Sequence, residues 1–278
     1  MRIANLRDRL VIVTDEGAID VAAASEDRFG PAPESAFDDW TAFQDWAATA
    51  TGDAHPYEPA DLGAPVPAPR QVFAVGLNYV RHAKESNLPL PPKPMIFTKF
   101  QSSITGPTGK IALPSDTVDW EVELVAVIGA VARNVPEADA WSYVAGFTAG
   151  QDLSDRTVQN TGSPAQFSMG KSFPGFAPIG PLLVTPDEFT DPNDIRVTTL
   201  VDDEVRQDSR TSDLVFDIPQ LIAYISSIVT LFPGDLIFTG TPEGVGLGRS
   251  PQLYLSHGEV LTTTIESIGT MRHEMVAG

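Results

Sequence analysis

Residues 119–129 read DWEVELVAVIG, and this stretch decides the fold. Leu124 to Ile128 is apolar on both faces, which is typical of a strand buried inside a sheet. Alternate residues of a strand point the same way about 6.6 Å apart, so Glu121 and Glu123 project from one face. Two such carboxylates repel each other and lose hydration, which favours a divalent cation as compensation. The alternative is that both glutamates lie beyond the sheet edge in solvent.

A third carboxylate follows the next apolar run. Residues 144–149 predict the neighbouring strand, and Gln151 and Asp152 come directly after it. Three carboxylates at strand ends suit Mg²⁺ or Mn²⁺, because these hard ions take oxygen ligands and keep positions open for water or substrate. Zinc is disfavoured, since no histidine or cysteine is near these residues in the sequence.

Short apolar runs continue on both sides of this segment. Each is closed by Gly, Pro, Asp or Asn, which is the signature of β-strands. With 22 glycines and 24 prolines in the chain, many turns are expected and a helical bundle is disfavoured. The predicted strands cover residues 72–75, 95–100, 121–128, 144–149, 182–184, 195–201, 236–239 and 260–265.

Two helices are predicted among these strands. One begins at Asp217, its N-cap, with Pro219 in the first turn, and it places an apolar stripe on one face. The stripe consists of Ile218, Leu221, Ile222, Ile225, Ile228 and Val229. The second helix is short and runs from Pro136 towards Tyr143.

The first 69 residues differ from the rest of the chain in their sequence pattern and are predicted to form a small N-terminal domain. Residues 10–13 and 18–22 predict a hairpin, and residues 38–50, with aromatic side chains at helical spacing, predict an amphipathic helix. A proline-rich connector, residues 56–69, ends this segment. The expected fold class is therefore mixed α+β and mainly β, with residues 70–278 as the larger domain.

Composition excludes several classes of function. The 278 residues carry 37 acidic and 18 basic side chains, a net charge of −19, which repels nucleic acid and anionic lipid. The chain has no cysteine, which excludes thiolate catalysis, zinc–thiolate sites, iron–sulfur clusters and disulfides. The apolar run at residues 10–13 is too short for a signal peptide or a membrane span. A cytoplasmic protein with no nucleic-acid or membrane partner is expected.

Upstream of the glutamates, residues 76–85 read GLNYVRHAKE, a strand end followed by a short helical segment. His82 and Glu85 are three residues apart and share one helix face. An imidazole oriented by a carboxylate is the usual form of a general base that activates water near neutral pH. The alternative is an exposed ion pair on a helix. His55, His257 and His273 lack a comparable setting.

Four further residues are candidates for contact with a substrate. Lys171 lies between Gly170 and Ser172 among apolar and small residues, where a half-buried ammonium can hold a carboxylate or carbonyl oxygen. Arg156 and Gln159 follow the third carboxylate, although such residues are usually found on the surface. Residues 238–246, FTGTPEGVG, lack the lysine and spacing of a phosphate loop. Their glycines are expected to make tight turns that let Thr241 and backbone N–H groups approach a ligand.

Five ordered motifs together resemble the fumarylacetoacetate hydrolase family, in particular its bacterial acylpyruvate hydrolases and the related decarboxylases and isomerases. The motifs are residues 76–85, 121–124, 151–159, 170–181 and 239–246. The resemblance covers roughly residues 70–275. It implies that residues 70–278 form a catalytic domain, a mixed β-roll or sandwich, and that the protein is a homodimer.

The resemblance also implies a role for each candidate residue. The metal ligands would be Glu121, Glu123 and Asp152, holding Mg²⁺ or Mn²⁺, with Ca²⁺ as a substitute in crystals. The catalytic residues would be His82 and Glu85, a water-activating dyad on a mobile lid, and Lys171, which would hold a substrate oxygen. The substrate-binding residues would be Arg156, Gln159 and Thr241.

The chain departs from the family pattern at three positions. Many relatives have an acidic residue where this chain has Thr157, an aspartate where it has Pro174, and an asparagine where it has Gln151. None of the three is a proposed ligand or base. The departures therefore bear on substrate specificity rather than on the reaction.

The function expected from this resemblance is metal-dependent hydrolysis of a C–C bond in a 2,4-dioxo acid, of the acylpyruvate or fumarylacetoacetate type, to release pyruvate or a related acid. Two alternatives use similar enolate chemistry without an attacking water: decarboxylation of oxaloacetate, and isomerisation of 2-hydroxyhepta-2,4-diene-1,7-dioate. A third alternative is a non-catalytic, acidic module that binds structural Ca²⁺. The presence of both His82 and Glu85 argues against it, because a structural metal site requires no base.

Overall fold

Nineteen β-strands and six short α-helices are present in the computed structural model, which describes residues 1–278. The strands are β1 (Arg2–Leu6), β2 (Arg9–Thr14), β3 (Gly17–Asp20), β4 (Ala54–His55), β5 (Leu62–Gly63), β6 (Val72–Gly76), β7 (Met95–Thr98), β8 (Ile104–Thr105), β9 (Thr108–Leu113), β10 (Val118–Asp119), β11 (Val122–Ile128), β12 (Val144–Gln151), β13 (Ser154–Asp155), β14 (Ala177–Val184), β15 (Arg196–Val201), β16 (Glu204–Arg210), β17 (Leu236–Phe238), β18 (Val260–Ile265) and β19 (Gly269–Ala277). The α-helices are α1 (Val21–Ala24), α2 (Trp40–Ala47), α3 (Val80–Glu85), α4 (Arg156–Gln159), α5 (Phe167–Gly170) and α6 (Ile218–Ile228). Short 3-10 helices cover Pro33–Phe37, Pro59–Asp61, Gln101–Ser103, Glu137–Tyr143, Pro186–Glu188 and Thr211–Asp213.

The main sheet contains β11, the strand that follows Glu121 and carries Glu123. Its principal order is β4-β3-β2-β1-β14-β12-β11-β17-β6-β7, with β5 and β8 attached to β1 and β14. β11 pairs antiparallel with β12 and β17, whereas β17 and β6 are parallel. Every residue of β11 is buried, which confirms the prediction of a strand covered on both faces.

A second sheet, with the order β16-β15-β18-β19-β9, packs against the main sheet. Val197, Ile265 and Met271 of this sheet belong to the same buried apolar cluster as Leu124 and Phe147 of the main sheet. β10 and β13 form a separate two-stranded pair. The stacked sheets confirm the mixed, mainly β architecture expected from the sequence.

The N-terminal strands extend the main sheet through the pairing of β1 with β14, in which Ile3 lies opposite Leu183. The predicted hairpin is confirmed as β2 and β3, except that Val21 and Ala22 begin helix α1 and are not part of the second strand. Trp40 and Phe43 of α2 join a buried cluster with Val125 of β11. The division of the chain at residue 69 stays a prediction about folding units, although residues on both sides share one sheet and one cluster.

Helix α6 confirms the predicted N-cap, since the Asp217 side chain accepts a hydrogen bond from the Gln220 N–H at 2.9 Å. Leu221 and Ile225 are buried as the stripe predicts, but Ile228, the last residue of the helix, is 62% exposed. The prediction is therefore wrong for Ile228, which faces solvent at the end of the helix, whereas Val229, the next residue, packs against the core.

Several element predictions need correction. The helix predicted over residues 38–50 is shorter, because α2 begins only after Asp39, whose side chain caps it. The segment from Pro136 to Tyr143 is a 3-10 helix rather than an α-helix. The strands β1, β9, β16 and β19 were not predicted, and neither were the two-residue strands β4, β5, β8, β10 and β13. None of the helices combines the length and the apolar character that crossing a membrane would require.

We predict that Leu221→Ala lowers the free energy of unfolding by about 2–5 kcal/mol, because it leaves a cavity between α6 and the main sheet. Ile228→Ala, on the same helix but exposed, should change it by no more than about 0.5 kcal/mol. Urea unfolding followed by circular dichroism measures both values. Equal losses in the two variants would contradict the packing of α6.

Candidate active site

The three predicted ligand carboxylates meet where β11 begins and β12 ends. The two strands are antiparallel, with Val122 opposite Gln151, so that Glu121 and Asp152 lie just outside this pair at one edge. One carboxylate oxygen from each of Glu121, Glu123 and Asp152 lies within 4.8 Å of the others, and all three residues are buried. The alternative in which the glutamates lie in solvent is therefore wrong.

Two buried lysines neutralise part of this negative charge. Lys171 Nζ lies 2.9 Å from Glu121 Oε2 and 2.6 Å from Asp152 Oδ2. Lys99 Nζ lies 2.5 Å from Asp152 Oδ1 and also donates to the backbone carbonyl of Lys171. Lys171 is only 2% exposed, so it is more buried than the half-buried state expected from the sequence. Its ammonium holds protein carboxylates together at the bottom of the site.

Nearby positive charge offsets the burial of these carboxylates to different degrees. Burial alone would raise the pKa of Glu121, but the charges of Lys171 and Arg156 lower it to about 2. Burial, together with the negative charges of Asp152 and Glu121, holds the pKa of Glu123 well above its usual range. Glu123 is therefore the carboxylate that most lacks a compensating positive charge.

A divalent cation fits this group of side chains. The available donors are carboxylate oxygens, which Mg²⁺ and Mn²⁺ prefer. A cation among them would supply the positive charge that Glu123 lacks. Each carboxylate oxygen has two lone-pair directions, so Asp152 can bind a cation while it keeps its contacts with Lys99 and Lys171.

The guanidinium of Arg156 forms ion pairs with carboxylates of the protein. Its Nε and Nη2 donate to Asp119 Oδ2 at 2.9 and 2.7 Å, and its Nη1 lies 2.8 Å from Glu121 Oε1. Nη1 also donates to Gln159 Oε1 at 2.8 Å. Burial opposes the charge of the guanidinium, yet Asp119 and Glu121 raise the pKa of Arg156. Arg156 therefore orients both Glu121 and Gln159.

The predicted dyad lies on α3, with 3.3 Å between His82 Nδ1 and Glu85 Oε2. The Gly244 N–H donates to both carboxylate oxygens of Glu85, at 3.0 and 3.2 Å, and so fixes the carboxylate. The two side chains are only 12% and 20% exposed, and both line a cavity. Their setting is a cavity wall rather than the exposed face of a helix.

A glycine-rich segment that follows β17 contacts acidic side chains across the whole site. Its backbone N–H groups donate from Gly240 to Glu123 at 2.6 Å, from Gly244 to Glu85, and from Gly246 and Leu247 to Asp119 at 2.7 and 2.9 Å. Thr241, in the same segment, accepts a hydrogen bond from Gln207 Nε2 at 2.8 Å. The segment thus brings backbone donors to the site, as its glycines predict.

A cavity of about 520 Å³ opens above this arrangement. The predicted residues that line it are His82, Glu85, Glu121, Arg156, Gln159, Lys171 and Thr241. Glu123 and Asp152 do not line this cavity: Asp152 contacts Lys171, and a carboxylate oxygen of Glu123 lies within 4.8 Å of one on Glu121. A separate cavity of about 590 Å³ near the N-terminus contains none of the predicted site residues.

Two residues of the charge network were missed in the sequence. Asp119 had a usable signal, because it precedes Glu121 by two residues and therefore shares its face in an extended segment. Lys99 lies within the predicted strand 95–100, and no local pattern pairs it with Asp152, which it meets only through the tertiary fold. Both are buried and both carry ion pairs to predicted site residues.

The fold and the site together are those of an enzyme with a carboxylate cluster suited to a divalent metal ion, since that cluster and a histidine–carboxylate pair adjoin one cavity. The chain belongs to the fumarylacetoacetate hydrolase family: the family model described as "Fumarylacetoacetate (FAA) hydrolase C-terminal" matches residues 71–276. The match confirms the resemblance in the five motifs.

Individual relatives carry the names of different reactions. The human mitochondrial oxaloacetate tautomerase FAHD2A is 45% identical over 215 residues, covering 77% of this chain and 68% of the relative. A crystal structure described as an HpcE protein from Mycobacterium smegmatis is 52% identical, with a TM-score of 0.96 over 100% of both chains. Maleylpyruvate hydrolase from Sphingobium sp. SYK-6, in complex with manganese(II) and pyruvate, is 29% identical, with a TM-score of 0.80 over 100% of both chains.

We predict that Asp152→Asn raises the dissociation constant for Mn²⁺ by at least about tenfold, because it removes one of three carboxylate ligands. Titration calorimetry on metal-free protein measures this constant. Asp139→Asn, an exposed change outside the site, is the matched control and should bind Mn²⁺ like the parent protein. Unchanged Mn²⁺ affinity in a folded Asp152→Asn variant would contradict the ligand assignment.

Proposed function

We propose that this protein hydrolyses the C–C bond between C3 and C4 of a 2,4-dioxo acid and releases pyruvate or a related 2-oxo acid. The observation that carries the proposal is the His82–Glu85 pair, anchored by a backbone N–H and facing the same cavity as Glu121. A base beside a carboxylate metal site is the arrangement that activation of water requires. The maleylpyruvate hydrolase relative, which was crystallised with manganese and pyruvate, supports the same class of reaction.

Glu121, Glu123 and Asp152 would hold Mg²⁺ or Mn²⁺. When bound, the ion would act as a Lewis acid on the 2-oxo and carboxylate oxygens of the substrate. Lys171, which contacts Glu121 and Asp152, lies beside this position and would attract the same negatively charged end of the substrate.

His82 is placed to accept a proton from water. Its Nδ1 faces Glu85, which leaves Nε2 to accept the water proton while the carboxylate stabilises the resulting imidazolium. The hydroxyl oxygen adds to the C4 carbonyl of the substrate, and the C3–C4 bond then breaks. The proton held by His82 returns to C3 of the departing enolate, which yields pyruvate and a carboxylic acid.

Gln159 is the neutral donor for the negative charge that develops on the C4 oxygen. Its Oε1 accepts from Arg156 Nη1, so the Nε2 end of the amide is the one available to the cavity. A fixed N–H donor at such an oxygen stabilises the tetrahedral state. Arg156 acts on this step by orienting Gln159.

A second candidate function is tautomerisation of oxaloacetate, which is favoured by the 45% identity to the human enzyme of that name. Tautomerisation moves a proton between carbon and oxygen, so it needs a base but no attacking water. Decarboxylation of oxaloacetate and isomerisation of a hydroxydienedioate share that requirement. Formation of pyruvate from acetylpyruvate, followed with lactate dehydrogenase, distinguishes hydrolysis from tautomerisation, which forms no pyruvate.

We predict that His82→Ala lowers kcat for acetylpyruvate hydrolysis by on the order of 10²–10⁴-fold, because it removes the general base. Binding of Mn²⁺ should be retained, since His82 is not a proposed ligand. His257→Ala, an exposed histidine outside the cavity, should hydrolyse like the parent protein. A His82→Ala rate within about threefold of the parent rate would refute the dyad.

We also propose that two copies of the chain form a homodimer, a proposal that rests on the family resemblance. Light scattering at micromolar concentration should give about twice the chain mass of 29.8 kDa. The mass of a single chain under these conditions would show that the proposal is wrong. Besides the second copy of the chain, the one proposed binding partner is the dioxo acid substrate.

A further inference from the structure

The cationic side chains that line the cavity are already paired with carboxylates of the protein. Lys171 and Arg156 each lie within 2.9 Å of two of them. His82 lies 3.3 Å from Glu85. These three residues are the only lining residues with a basic side chain. The lining therefore contains no unpaired cation for a second carboxylate at the far end of a substrate.

An apolar surface begins next to Lys171. Lys171 Nζ lies 5.0 Å from the centroid of the Phe97 ring, and the Phe97 and Phe167 rings meet edge to face at 5.6 Å. The side chains of Met95 and Phe167 lie close to Gly76. A Cβ atom added at Gly76 would lie 3.8 Å from Phe167 Cε2 and closer still to the Met95 side chain. Met95, Phe97 and Phe167 all line the cavity and are called the apolar wall below.

Most other polar groups in the lining are neutral, and two residues, Glu85 and Glu121, are acidic. Asn87, Asn160 and Gln252 contribute amides, and Glu85 contributes a carboxylate. An amide can bind a carbonyl oxygen, whereas Glu85 repels an anion. A substrate carboxylate placed against the apolar wall would lose hydration without gaining a counterion.

We propose that this cavity selects 2,4-dioxo acids whose far end, beyond C4, is uncharged and apolar, and discriminates against those that carry a second carboxylate there. This inference rests on the proposed function and names the substrate class of the same site. The 2-oxo acid end lies at the carboxylate site and the acyl chain lies on the apolar wall. The cavity of about 520 Å³ falls within the range of small-molecule sites, which leaves room for an acyl chain longer than acetyl.

The test compares two seven-carbon substrates, 2,4-dioxoheptanoate and 2,4-dioxoheptanedioate, which differ only in a terminal methyl or carboxylate group. With Mg²⁺ present, kcat/KM should be at least about tenfold higher for the monocarboxylate. Lengthening 2,4-dioxopentanoate to 2,4-dioxoheptanoate should raise kcat/KM by about fourfold per buried methylene. A smaller preference between the seven-carbon pair, or the reverse order, would overturn the proposal.

Variants on α5 test whether the apolar wall sets this preference. Phe167→Lys introduces a cation into the wall and should shift the kcat/KM ratio towards the dicarboxylate by at least about tenfold. Met169→Lys is the matched control, because Met169 lies on the same helix, is 62% exposed and does not line the cavity. Its ratio should equal that of the parent protein. Met95→Lys provides a second position should Phe167→Lys fail to fold, and an unchanged ratio in a folded wall variant would contradict the proposal.

A binding measurement separates this inference from the proposed hydrolysis. 2-Oxohexanoate and 2-oxohexanedioate have equal chain lengths and lack the C4 carbonyl, so neither is cleaved. Calorimetry on Mn²⁺-loaded protein should show at least about tenfold tighter binding of the monocarboxylate. If that preference holds but no dioxo acid is hydrolysed, the proposed function is wrong and the selectivity stands. If hydrolysis occurs but the dicarboxylate binds equally well, the selectivity is wrong and the function stands.

Discussion

The burial of three carboxylates at one edge of the main sheet is the constraint on which the rest of the site depends. Buried charges persist only where counterions and hydrogen bonds offset the hydration that they lose. Here the counterions come from distant segments: Lys99 follows β7, Arg156 begins α4 and Lys171 follows α5. Each of these segments must therefore reach the ends of β11 and β12, and the cavity lies among them.

The glycine-rich segment meets a related requirement, because buried carboxylates need hydrogen-bond donors as well as counterions. It donates backbone N–H groups to a proposed metal ligand, to the dyad carboxylate and to the aspartate that holds Arg156. Gly240 and Gly244 have φ angles of 102° and 101°, a region that favours glycine. One short piece of backbone thus donates hydrogen bonds both to a proposed metal ligand, Glu123, and to the proposed dyad carboxylate, Glu85.

The signals that could be read from the sequence were local ones. Strand alternation placed Glu121 and Glu123 on one face, and helix spacing paired His82 with Glu85. Pairings between distant segments leave no such local signal. Lys99 was not predicted because its partner, Asp152, lies 53 positions away in the sequence. The strands β16 and β19 were missed for a different reason. β16 reads EVRQDSR and is largely polar. In β19, which reads GTMRHEMVA, buried and exposed residues alternate, but the buried positions include a histidine, so the sequence shows no clear apolar alternation.

A single arrangement of charges can serve several reactions because hydrolysis, tautomerisation and decarboxylation of 2-oxo acids all develop negative charge at the same end of the substrate. Under the proposed function, the buried ammonium of Lys171 and the proposed metal ligands face that end of the substrate. The reactions differ at the opposite end, where hydrolysis requires a water between His82 and a second carbonyl. The residues that line the cavity determine whether a water molecule or part of the substrate occupies the space between His82 and that carbonyl. In this chain, specificity is therefore expected to depend on the apolar and amide residues of the lining, while the charged residues serve the proposed chemistry.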